Sequence, residues 1–212
     1  METNEHIDWK ELDEKDKSYT VRVLNFFHFR RNRLHRSWKR EEVLTWELIR
    51  ALDILPKDYF LREFLLTIKD KNKRLSIIDF LLKKINNLEI ISYPNLGFKG
   101  IKRNSASDIG IKSGKNCLWI EVKTNLIDES ELQKQIKIQK DSPDLCSNKN
   151  FDVIALIPSN QKYIGPSIFW KDVIKSFKNA ELKLQKDWGN NVINGYLKIS
   201  QELIKRIEAR DI

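Results

Sequence analysis

The chain has 212 residues, enough for one medium-sized domain with a substantial core. Its 39 Lys and Arg outweigh 30 Asp and Glu, and the net charge of +9 points toward nucleic acid, although a Lys-, Asn- and Ile-rich composition is also what an AT-rich genome produces. It has no apolar run long enough to span a membrane, its N-terminus is polar, and Cys117 and Cys146 resemble neither a zinc site nor a disulfide framework; a cytoplasmic protein is expected.

From Tyr19 to His35 the pattern predicts a helix that begins aromatic and ends basic. Six of the twelve arginines fall between Arg22 and Arg40, with no acidic residue after Ser18. Arg30, Arg31, Arg33, Arg36, Lys39 and Arg40 are therefore the candidate DNA contacts, with Phe26, Phe27 and Phe29 expected in the core. Apolar spacing predicts helices over Arg40–Ile54 and, opened by Pro56, over Lys57–Ile68. The polar run Lys69–Lys73 reads as a linker, separating an N-terminal helical region (1–70) from the rest (71–212). Then come a helix over Leu75–Ile85, a strand over Leu88–Tyr93, two further strands, a helix over Asp128–Lys140 and a buried strand over Phe151–Ile157. Helices over Ser167–Phe177 and Val192–Ala209 close the chain. The fold class is α/β, a mixed sheet of four or five strands flanked by helices in the core order α-β-β-β-α-β.

The two middle strands carry the chemistry. In Trp119-Ile120-Glu121-Val122-Lys123, alternation turns Ile120 and Val122 one way and Trp119, Glu121 and Lys123 the other. Ser113-Gly114-Lys115-Asn116 has the residues of a tight hairpin turn. A hairpin centred between Gly114 and Lys115, with a loop of either two or four residues, sets Asp108 opposite Glu121. Two carboxylates so placed repel. A divalent cation between them removes the repulsion, and hard oxygen ligands suit Mg²⁺. Lys123, on the same face, adds a positive charge beside it.

Asp108 followed by Glu121-Val122-Lys123 resembles the PD-(D/E)xK pattern of the restriction-endonuclease-like nucleases, over roughly residues 74–178, with Ser107 in place of the proline. The resemblance implies a restriction-endonuclease-like core and a Mg²⁺ site, with Mn²⁺ as a substitute, formed by Asp108, Glu121 and the Val122 carbonyl. It implies a further carboxylate from the preceding helix, where Asp79 is the positional candidate ahead of Glu63 and Glu89. It also implies a glutamine on the helix after Lys123. Gln135 and Gln139 share a face there, and Gln135 is the favoured positioning residue. The expected activity is hydrolysis of DNA phosphodiester bonds by an endonuclease of restriction or defence type, as a homodimer or higher assembly. The alternatives are a repair, recombination or mobile-element nuclease, and a catalytically silent nucleic-acid-binding or assembly module.

Overall fold

The structure, a computed structural model, describes residues 40–70, 76–92, 108–141, 150–188 and 193–210. Helix α1 (Arg40–Ile54) follows its apolar stripe: Leu44, Leu48, Ile49 and Leu52 are all buried. Pro56 turns the chain, its carbonyl accepting from the N–H groups of Tyr59 and Phe60 at 3.0 Å each. Helix α2 (Phe60–Leu66) then buries Phe60, Leu61, Phe64 and Leu65. Helix α3 (Ser76–Lys83) is followed by a 3-10 turn over Ile85–Asn87, and β1 (Glu89–Ser92) leaves from it. Strands β2 (Ile109–Ser113) and β3 (Asn116–Val122) form the hairpin. After them come α4 (Glu129–Lys140), β4 (Asn150–Ile157), β5 (Ser167–Phe169), α5 (Trp170–Trp188) and α6 (Asn194–Glu208).

The protein is α/β, with a five-stranded mixed sheet in the order β1-β2-β3-β4-β5. The β1–β2 and β2–β3 pairs are antiparallel, whereas β3–β4 and β4–β5 are parallel. Parallel neighbours need a crossover, and between β3 and β4 that crossover carries α4. The element order from α3 to β4 is α-β-β-β-α-β, as expected.

The two faces of the sheet are covered differently. Ile109, Ile111, Leu118, Ile120, Val122, Ile154, Leu156 and Ile168 enter one core with residues of α1, α2, α3, α5 and α6. Cys117, Trp119, Val153, Ala155 and Ile157 face the other way, against Leu132 and Ile136 of α4. Alternate residues of each strand thus enter different cores, as the pleat requires. Helix α2 lies along α5, where the Phe60 and Phe177 rings meet edge-on with centroids 5.4 Å apart. Lys69, at the start of the expected linker, exchanges backbone hydrogen bonds of 2.8 and 2.9 Å with Ser167 of β5. Residues on both sides of the expected 70/71 boundary share the larger core.

One expected element, the helix over Ser167–Phe177, differs at both ends. Ser167–Phe169, read from sequence as the start of a helix, is a strand paired with Ala155–Ile157, and the helix begins only at Trp170. The helix then runs to Trp188 rather than Phe177, with Ala180 and Leu184 extending its buried face. Among the described residues, no helix is long and apolar enough to cross a membrane.

Candidate active site

The hairpin has the expected register. Gly114 and Lys115 alone form the loop, and Ser113 pairs with Asn116 and Ile109 with Ile120. Gly114 has φ 58°, the left-handed conformation that two-residue hairpin loops require. The Asn116 side-chain amide closes the turn on the Ser113 carbonyl at 3.3 Å. Asp108 is the residue next to β2, and its N–H reaches the Ile120 carbonyl at 3.2 Å. Asp108 lies beyond the last ladder pair, Ile109–Ile120, and meets β3 through Ile120 and Val122. Its carboxylate Oδ2 accepts the Val122 N–H at 2.7 Å, which caps β3 where β2 has ended.

Glu121 is buried, with 6 % of its surface exposed. A buried carboxylate needs partners to offset its lost hydration, and Glu121 has one on each oxygen. Oε1 accepts from the Lys123 ammonium at 2.7 Å, and Oε2 accepts from the side-chain amide of Gln139. Lys123 has 15 % of its side chain exposed. Its backbone is held on both sides: the N–H donates to the Leu156 carbonyl at 2.8 Å, and the carbonyl accepts the Trp170 indole N–H at 2.8 Å.

Helix α4 is set against the sheet by Leu132 and Ile136. Its N-terminus is capped by Asp128, whose Oδ1 accepts from the Ser130 N–H at 2.7 Å and the Ser130 hydroxyl at 2.5 Å. Those bonds, with that of the Glu131 N–H, hold the Asp128 carboxyl below its ordinary pKa. The loop entering α4 is tied to the loop after β4 by Gln161, which both donates to and accepts from the backbone of Ile127 at 3.0 Å. Beneath the acidic pair, Trp119 lies over Gly110, its cross-strand partner. A Cβ on Gly110 would stand 2.4 Å from Trp119 Cζ3, so only glycine lets the indole lie there.

Of the expected site, the structure joins Asp108 to the Val122 N–H and Glu121 to Lys123. It does not bring Gln135 to them. Gln139 takes that place, while Gln135 donates to Glu131 of its own helix at 3.3 Å. The reason is helix rotation: Leu132, Ile136 and Gln139 follow one another at four and three residues, so Gln139 continues the stripe that faces the sheet. Asp79 sits on the exposed side of α3. Among the described residues no three His, Cys, Asp or Glu side chains gather as a metal-holding group, so Asp79 does not join Asp108 and Glu121 as a third carboxylate. Of the alternatives to Asp79, Glu89 is exposed, and Glu63 is turned to Lys183 of α5 at 2.6 Å. Trp170 and Gln161 were not legible as parts of the site, because each acts through backbone groups far away in sequence. Arg30, Arg31, Arg33, Arg36 and Lys39 lie outside the described residues, as do the predicted helix over Tyr19–His35 and the side chain of Arg40, the first residue of α1.

The donors present suit a hard cation. Mg²⁺ keeps most of its waters and is usually held by one or two carboxylates together with substrate phosphate oxygens, not by a full protein cage. Asp108 and Glu121 are the carboxylates that would offer oxygens to such an ion. The Val122 carbonyl lies on the same strand edge as the N–H that binds Asp108, since an extended residue turns both groups toward one neighbour. Glu121 keeps acceptor capacity beyond its two bonds, because a carboxylate offers about four lone-pair sites.

No protein family, curated protein or solved structure was found to match the chain.

Proposed function

We propose that this chain is a metal-dependent nuclease with a restriction-endonuclease-like core, hydrolysing DNA phosphodiester bonds as a cytoplasmic endonuclease. The observation that carries the reading is the Lys123 ammonium 2.7 Å from Glu121 on a strand of a mixed sheet whose Val122 N–H is bound by the Asp108 carboxylate. The α-β-β-β-α-β order around that sheet supports it.

In this reading Asp108, Glu121 and the Val122 carbonyl hold Mg²⁺. The ion would supply charge neutralisation at the phosphate and a hydroxide at neutral pH. Lys123 faces the phosphate or the attacking water, stabilising the charge that develops there. Gln139 fixes the Glu121 carboxylate from α4. The arginines between residues 30 and 40 contact the DNA backbone, and cutting both strands calls for a second copy of the chain.

A silent nucleic-acid-binding module is the second reading. It is favoured by one feature, the engagement of both Glu121 oxygens by Lys123 and Gln139. A cleavage assay on plasmid, linear duplex, single-stranded DNA and RNA separates the two, run with Mg²⁺, Mn²⁺ or EDTA for the wild type and Asp108→Ala. The nuclease reading expects metal-dependent cutting of DNA that the substitution abolishes. Cutting that survives in Asp108→Ala, or no cutting on any substrate, selects against it.

A further inference from the structure

We infer that Trp170 is the positioning residue of Lys123, fixing where its ammonium stands. The functional consequence rests on the nuclease reading above; the positional claim does not. Lys123 is the first residue past the end of β3, where a strand's backbone is normally released to solvent. Here it is not released. Its N–H is paired with Leu156 of β4, and its carbonyl accepts the indole N–H of a residue 47 positions later, each at 2.8 Å.

Trp170 is well placed to impose a position. It is fully buried, opens α5 directly after the β5 strand, and shares the large core with Val173 and Phe177. Its indole cannot swing away without disturbing that core. Lysine has four rotatable side-chain bonds, so its ammonium is located only if the backbone direction at Cα is set first. Holding the peptide groups on both sides of Lys123 does this, and the side chain then falls on Glu121 with little exposure. Phenylalanine would fill the same space but could not hold the carbonyl.

A buried tryptophan usually finds some acceptor for its N–H, so the test must separate positioning from simple satisfaction. Trp170→Phe keeps the ring and deletes the donor. Val173→Ala is the control, since it removes core volume one turn further along α5 without a bond to Lys123. The first readout is acetylation of Lys123 by acetic anhydride, followed by peptide mass spectrometry. The wild type and Val173→Ala should be protected relative to the unfolded chain, and Trp170→Phe should approach the unfolded rate. The second is steady-state cleavage, where Trp170→Phe should lower kcat on the order of tenfold or more with little change in KM. Val173→Ala should leave kcat close to the wild-type value.

Wild-type protection and kcat in Trp170→Phe overturn the inference, as does an equal loss in both variants. If the wild type cuts nothing, the nuclease reading falls, and the acetylation pattern still decides whether Trp170 places Lys123. Should Trp170→Phe fail to fold, hydrogen exchange of the wild-type Trp170 indole N–H decides instead. Protection like that of core amides supports the bond, and exchange within the dead time refutes it.

Discussion

Replacing Gly110 by alanine tests the packing on which the site stands. The new Cβ would lie 2.4 Å from Trp119 Cζ3 and 2.9 Å from Cε3, both inside contact distance. The indole has little room to move, being 6 % exposed and clustered with Leu132, Ile136, Val153 and Ala155. Forcing extra volume into such a place costs roughly 1–3 kcal/mol. Reduced freedom of the unfolded chain returns about 0.4–1 kcal/mol. A net loss of about 1–2 kcal/mol is expected, read as a lower urea midpoint with an unchanged slope. Trp119→Leu in the same background should relieve the clash, so the double-mutant cycle should give a coupling of at least about 1 kcal/mol. Gly110→Ala at wild-type stability, or strict additivity with Trp119→Leu, would refute the stacked arrangement beneath Asp108 and Glu121.

Other substitutions probe separate parts of the structure. Gln139→Leu strips the buried Glu121 of a donor and should cost about 1–3 kcal/mol in chemical denaturation. Gln135→Leu should be close to neutral, since the buried Gln135 Oε1 has no hydrogen-bond partner among the described residues. Burial pushes the Cys117 thiol up to about 12. Iodoacetamide at pH 8 should therefore leave Cys117 unmodified in the folded protein and label it once urea unfolds the chain. Because the folded thiol holds its proton more tightly, its contribution to stability is complete below about pH 8.5 and declines above it. Burial also raises the pKa of Glu181, against the pull of Ser200 and Lys178. Glu181→Gln should raise Tm at pH 7, where the wild type must keep a half-buried charge. That advantage should vanish in a melt below about pH 4, where the carboxyl is protonated in both states.

Much of the hairpin was legible from sequence because its determinants are local. Alternation sorts Ile120 and Val122 from Trp119, Glu121 and Lys123, and the Gly114 turn sets the register. Helix α1 was equally legible, because Leu44, Leu48, Ile49 and Leu52 recur at helical spacing. Strand β5 was not, since three residues carry little pattern and Ser167–Phe169 is extended only because β4 and Lys69 pair with it. The choice between Gln135 and Gln139 was readable in principle. Projecting Leu132 and Ile136 onward by three residues arrives at Gln139, so the apolar stripe was the better guide than family habit. The Trp170 bond joins positions 47 residues apart and leaves no trace in either segment.

The two-residue loop also bears on how such a site tolerates changes in length. Residues added at Gly114–Lys115 lengthen the loop and leave Asp108 bonded to Ile120 and Val122. One residue added within either arm, unless a bulge absorbs it, moves an acid to the opposite face, into the core of Ile109, Leu118 and Val122. Insertions and deletions are therefore filtered by place: free at the tip, forbidden singly along the arms. Descendants of one such hairpin would keep the geometry of the acidic pair while the count of residues between the acids drifted. A search written with a fixed interval between aspartate and glutamate would pass over them, whereas one that counts outward from the turn would not.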